Sequence, residues 1–395
     1  MWRLGFFFRD MAFGLLSVFL PLYVIAIGGS LVDIGIMFAV ASFLAIPSSF
    51  FWGYLCDKTR RYKRYILLSF LASAIFLYFF TLATSVGLLI ILYAVMSTLH
   101  VAYGPPKNVL ISELYTREEW EKAFAFYQVF TGTGWLIGLL LGFLMSSYGF
   151  GSTSTLLVCS GLNLVAFILS LILLTDPLFI FERSLVSIEK TIDFTCKGIV
   201  IASRILDGLS LNEKLKRENL SAFCGGLILF SLATTILFAP FPVFFSQELA
   251  LPTNAIFAIY VLNSGVGVVG YFLAGSRASQ ATEKSHIGKT VMFRSLLAFL
   301  LVAVTGVPEY NAVLAAVILI LMGFAYAFFL VFTLSLSMEL MPAGKAGLFN
   351  GLVGIGSACG NFIGPFLAQT SGYISVFLTA GIIFFLAYIA LKIST

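Results

Sequence analysis

The chain of 395 residues is 60% hydrophobic and 10% charged, with a mean hydropathy of +1.04. Soluble domains carry about 45–50% apolar and about 25% charged residues, and 42 phenylalanines cannot be hidden in one soluble core. An ordinary soluble enzyme is excluded, and so is a disordered or nucleic-acid-binding chain, despite a net charge of +5.

Bilayer arithmetic fits instead, since a spanning helix needs roughly 20 mostly apolar residues. Twelve runs qualify: 4–27, 31–55, 65–83, 86–111, 123–147, 153–175, 220–246, 254–275, 290–306, 310–338, 346–369 and 374–391. Each is continuously apolar rather than alternating, so the expected fold is all-α, not a barrel. The first run is too long for a signal peptide and has no small-residue cleavage site, so it is expected to stay as an uncleaved helix.

With the N-terminus inside, the outer connections are 28–30, 84–85, 148–152, 247–253, 307–309 and 370–373, and none holds a Lys or Arg. The inner segments hold 20 of the 23 basic residues. This bias predicts cytoplasmic termini and a multi-pass protein of the cell membrane. No outer connection is long enough for an external binding domain.

Run 1 carries Arg9 and Asp10. Asp10, Gly14, Ser17 and Pro21 fall on one helical face. On run 4, Tyr93, Ser97, His100, Gly104 and Lys107 share a face, and Pro105-Pro106 breaks the helix beside Lys107. Ionisable residues within a span are costly and commonly face the interior, along a pathway. Snorkelling is the competing account of Arg9 and Lys107, and a satisfied buried histidine that of His100. Asp33 and Arg294 read as snorkelling residues near run ends.

Run 5 spaces glycines at 132, 134, 138 and 142, and run 11 repeats the pattern at 354, 356, 360 and 364. Both sets serve helix packing first. Their recurrence at one offset of 222 residues predicts two related six-helix bundles, 1–175 and 220–395, which is a transporter architecture. Between them, 176–219 has apolar residues at helical spacing with Lys190, Lys197 and Arg204 beside them. It reads as a cytoplasmic amphipathic linker. Runs 7–12 show hydroxyls, amides and phenols, among them Asn263 and Tyr326, and no charge near the midplane.

Gly53-Tyr54-Leu55-Cys56-Asp57-Lys58-Thr59-Arg60-Arg61 stands between runs 2 and 3. It resembles the signature loop of the major facilitator superfamily, G-x-L-x-D-[RK]-x-G-[RK]-[RK]. Gly53, Leu55, Asp57, Lys58 and Arg61 match. Arg60 replaces the second glycine and Tyr62 the last base. The equivalent stretch after run 8, Gly270-Tyr271-Phe272-Leu273-Ala274, lacks the acid. The resemblance implies a secondary transporter working by alternating access, with this loop as an inner latch and runs 1, 4, 7 and 10 around the cavity. It does not identify a subfamily: Tyr93 stands where many proton-coupled members carry Arg.

The expected substrate or coupling residues are Arg9, Asp10, Tyr93, His100, Lys107, Asn263 and Tyr326. The expected gating residues are Gly53, Asp57, Lys58 and Arg61. Asp10 is the leading proton-coupling residue; Lys107 either holds a carboxylate of the solute or snorkels past Pro105-Pro106 to the inner surface, the solute then being an amphipathic drug or a neutral sugar bound by aromatics. Two histidines and five scattered cysteines suggest no metal site or disulfide framework, and no phosphate loop or catalytic constellation is visible. The expected partners are a small solute, protons and the lipid bilayer; no cofactor, no nucleic acid and a monomer are expected. A facilitative or drug-efflux carrier without coupling at Asp10 stays open, and a multispan membrane enzyme is the distant alternative.

Overall fold

A computed structural model of the chain describes residues 3–114, 120–176, 220–277, 283–304, 311–340 and 346–394. Its helices are α1 (Leu4–Ala26), α2 (Leu31–Thr59), α3 (Tyr62–Phe80), α4 (Val86–His100), α5 (Gly104–Leu114), α6 (Trp120–Ser147), α7 (Ser152–Leu173), α8 (Leu220–Phe238), α9 (Thr253–Arg277), α10 (Glu283–Val304), α11 (Asn311–Leu340) and α12 (Ala346–Ser394). No strand occurs among the described residues. The linker expected at 176–219 lies, apart from Asp176, outside the described residues.

Eleven of the described segments are long and apolar enough to cross a membrane. The fourth crossing, Val86–Ile111, joins α4 and α5 through a 3-10 turn at Val101–Tyr103, just before Pro105-Pro106. The seventh continues from α8 past Pro240 through a wide turn at Phe244–Glu248. The last two apolar runs form the single 49-residue stretch of α12, broken at Gly372, where φ is 79° and ψ 169°. An unbroken helix of that length would extend about 74 Å, more than twice a hydrocarbon core.

The glycine series has a direct structural counterpart. A Cβ on Gly134 or Gly138 of α6 would collide with the carbonyl oxygens of Phe7 and Met11 on α1. One on Gly356, Gly360 or Gly364 of α12 would meet the carbonyls of Ile228, Leu232 and Ile236 on α8. Two helix pairs therefore touch backbone to backbone, and both the glycines and their partners recur at nearly the same offset. The turns recur too. Gly28, with φ 88°, ends the connection after α1, and Ala250, with φ 49°, takes the place 222 residues later. Ala250 is in the left-handed region without being glycine, which costs roughly 1–2 kcal/mol.

α2 begins with a capping box. Ser30 Oγ accepts from Asp33 N at 3.2 Å, and Asp33 Oδ2 accepts from Ser30 N at 2.8 Å. Asp33 is thus a helix cap and not a snorkelling residue. α2 ends at Arg60, which has φ 53° and donates its N–H to the Cys56 carbonyl at 2.8 Å. The signature pattern has glycine at this position because the backbone there is left-handed.

α2 lies along the 346–371 part of α12. Asn361 Nδ2 donates to Ser42 Oγ at 2.9 Å, and Val32 N donates to the Gln369 side chain at 2.8 Å. These bonds tie α2 to α12, the second of them close to the 27–30 turn.

Candidate functional site

Arg9 and Asp10 are 8% and 6% exposed on α1, facing the end of α4. Arg9 Nη1 donates to Asp10 Oδ1, the one ion pair found among the described residues. Arg9 Nη2 meets Nε2 of His100, across 91 residues of sequence. The hydrogen-bond network assigns the histidine tautomer. Ser73 Oγ donates its proton to the Ser69 carbonyl at 2.9 Å and is left as an acceptor for His100 Nδ1–H at 3.2 Å. Nε2 is then unprotonated and accepts from Arg9. Ser69 Oγ anchors the same turn by donating to the His100 carbonyl at 2.6 Å.

Aromatic rings line the rest of the cluster. The Arg9 guanidinium lies 4.2 Å from the Tyr103 ring centre and 4.8 Å from that of Phe13. Phe13 in turn contacts the His100 ring at 4.3 Å. Lys107 Nζ sits 5.2 Å from the Tyr127 ring and 5.8 Å from Tyr103, within electrostatic range of Asp10 and Arg9. Sequence reasoning missed Tyr103 and Tyr127. In a chain with 16 tyrosines and 42 phenylalanines, an aromatic residue carries no positional signal of its own.

Four expected residues therefore assemble: Arg9, Asp10, His100 and Lys107. The others stand elsewhere. Tyr93 packs on Phe38 and Phe80, with ring centres 5.7 and 6.3 Å away. Ser97 donates to the Ala94 carbonyl of its own helix at 2.8 Å. Gly14 abuts the Trp135 backbone, so the stripe beyond Asp10 on α1 is a packing face and not a polar lining. Asn263 Nδ2 donates to the Leu319 carbonyl at 2.6 Å, tying α9 to α11. Of the expected latch, Gly53 approaches Pro105, Lys58 Nζ lies over the Tyr54 ring at 5.8 Å, and Arg61 lines a cleft of about 300 Å³ with Thr59, Arg64 and Tyr65. The side chain of Asp57 lies outside the described residues.

Tyr326 belongs to a second cluster that the sequence reading did not foresee. Arg294, expected to snorkel from a span end, is fully buried. α10 begins at Glu283, so Arg294 is eleven residues into the helix, and its side chain turns inward. Its guanidinium lies 4.9, 5.6, 5.4 and 4.8 Å from the ring centres of Phe230, Phe238, Tyr326 and Phe384. Arg294 Nη1 donates to Thr234 Oγ1 at 3.2 Å, whereas Nε and Nη2 have no hydrogen-bond partner among the described residues. The second half thus carries a buried charge after all.

Eleven membrane-length helices among the described residues, with charges buried between them, mark an integral membrane protein. Residues 4–365 match the Major Facilitator Superfamily, and the chain belongs to it. It is a transporter rather than an enzyme. It is 33% identical over 174 residues to the multidrug resistance protein MdtG of Citrobacter koseri, covering 41% of this chain and 42% of that one. The MdtG of Salmonella schwarzengrund is 26% identical over 394 residues, covering 97% of this chain and 91% of that one. The fold resembles that of the human organic anion transporter MFSD10 (TETRAN), with a TM-score of 0.70 at 15% identity, covering 99% of this chain and 97% of the other. The nucleoside transporter NupG gives a TM-score of 0.70 at 14% identity, covering 99% and 98%.

Proposed function

We propose that the protein is a proton-linked secondary carrier that exports amphipathic organic solutes, with Asp10 as the coupling acid. In this reading twelve spans form two six-helix halves, 1–175 and 220–395, that rock about a central site. The recurring glycine contacts support that division, since each half closes its own backbone-to-backbone pair. The basic-residue bias supports cytoplasmic termini and linker in a plasma membrane. The similarity to proteins named for multidrug resistance supports outward movement of amphipathic molecules by a single chain. Gly53, Asp57, Lys58 and Arg61 act as the inner latch.

The observation that carries the coupling role is the bridge from Asp10 through Arg9 to His100. A carboxylate among apolar helices keeps its charge only while paired. When Asp10 takes up a proton, the guanidinium loses its strongest acceptor and holds α4 through His100 alone. Proton binding on α1 is thereby converted into a change in the contact between α1 and α4, the two elements expected to line the cavity.

The test is solute accumulation in proteoliposomes under an imposed pH gradient. Asp10→Asn should abolish uphill transport and spare counterflow exchange, in which no net proton movement is needed. Undiminished uphill transport by the variant would refute the role of Asp10.

A further inference from the structure

Arg9 and Arg294 are the buried arginines among the described residues, both against aromatic rings, and of the two only Arg9 has an acid beside it there. Arg9 sits on Phe13 and Tyr103 and is paired with Asp10. Arg294 sits among Phe230, Phe238, Tyr326 and Phe384, and its one hydrogen bond goes to the neutral Thr234. Four π-faces offset part of the lost hydration, but they accept none of the directed N–H bonds. Nε and Nη2 point into an interior that offers no acceptor among the described residues. Leaving a buried charged donor unsatisfied is costly, and a structural role would be met more cheaply by an apolar side chain of similar volume.

We propose that Arg294 is an anion-binding position of the transport site, and that its ligand is the carboxylate of a solute with a flat aromatic body. The free Nε and Nη2 are adjacent corners of the planar guanidinium, the edge that a carboxylate engages through two parallel hydrogen bonds. The surrounding rings suit an aromatic body, which stacks where a compact hydrated ion would not. Tyr326 is the most exposed of these rings. It borders the guanidinium and is 37% exposed, whereas Phe230 and Phe384 are 3% and 0% exposed. In this proposal the Tyr326 ring is the one that moves aside to admit the ligand. This assignment rests on the export reading only for the idea that the bound molecule is cargo. Binding at equilibrium needs no gradient, so failure of coupling at Asp10 leaves it standing.

The test uses the full chain in lipid nanodiscs, with equilibrium binding of 1-naphthoate, neutral 1-naphthylmethanol and chloride. Wild type is expected to bind naphthoate more tightly than the alcohol by roughly tenfold or more, as a charged hydrogen bond implies. Arg294→Met should abolish that preference while the alcohol still binds. Arg294→Lys, which keeps the charge but not the planar fork, should retain only part of it, and it provides the reading if Arg294→Met does not fold. The inference is overturned if wild type shows no carboxylate preference, or if Arg294→Lys binds naphthoate as wild type does. It is also overturned if the preference survives Arg294→Met and disappears in Lys107→Met, which would put the anion in the first half. Chloride that displaces naphthoate stoichiometrically at equal concentration would show a site for inorganic anions and would equally contradict it.

Discussion

Arg9 on α1 donates to the unprotonated Nε2 of His100 at the end of α4, a side-chain bridge between residues 91 apart in sequence. The geometry makes His100 an acceptor for one neighbour and a donor to another, Ser73. His100→Phe keeps the ring that packs on Phe13 but leaves Arg9 without that acceptor. It should destabilise the folded protein by about 1–3 kcal/mol. His100→Gln, which keeps an acceptor and a donor, should lose less. Thermal unfolding of the purified variants in detergent, followed by tryptophan fluorescence, checks the order wild type, then Gln, then Phe.

The backbone contacts at the repeated glycines predict a matched pair of failures. Gly138→Leu would drive a side chain into the Met11 carbonyl, and Gly360→Leu into that of Leu232. Neither neighbour can swing away, because both are main chain. Each variant should lose most of its monodisperse yield on size-exclusion chromatography. Gly161→Leu, on α7 with open space around it, should elute as wild type does. Equal tolerance at all three positions would contradict the packing described.

Ala250 holds a positive φ where the first half has Gly28. Ala250→Gly should relieve roughly 1 kcal/mol of backbone strain and raise the unfolding midpoint. Gly28→Ala should lower it by a similar amount. Opposite signs for these two substitutions are the expected outcome of the same measurement.

The sequence disclosed the fold more fully than the site. Continuous apolar runs and the glycine series at one offset are local signals, and both correspond to what the helices do. The signature loop is visible as a pattern, and Arg60 shows why that pattern holds glycine there: the chain turns left-handed at that residue. Arg9, Asp10, His100 and Lys107 were legible because charge inside an apolar run stands out. Their pairing was not legible, since the bonds cross between helices. Arg294 was misread for a specific reason. The continuous apolar run begins only at residue 290, which places Arg294 near its end, whereas the helix starts at Glu283. Its cage draws on α8, α11 and α12, a convergence that no local pattern records.

The central claim is that solute movement is tied to a proton carried by Asp10, and it is tested most directly by counting protons. Proteoliposomes holding a trapped pH-sensitive dye, with no imposed gradient, are exposed to a panel of aromatic cations, neutral molecules and carboxylates. Wild type should move protons opposite to at least one of these solutes in a fixed ratio. Asp10→Asn should pass the same solute down its own gradient with no proton signal. Solute flux in wild type without proton movement, or proton movement that persists in Asp10→Asn, would contradict the account.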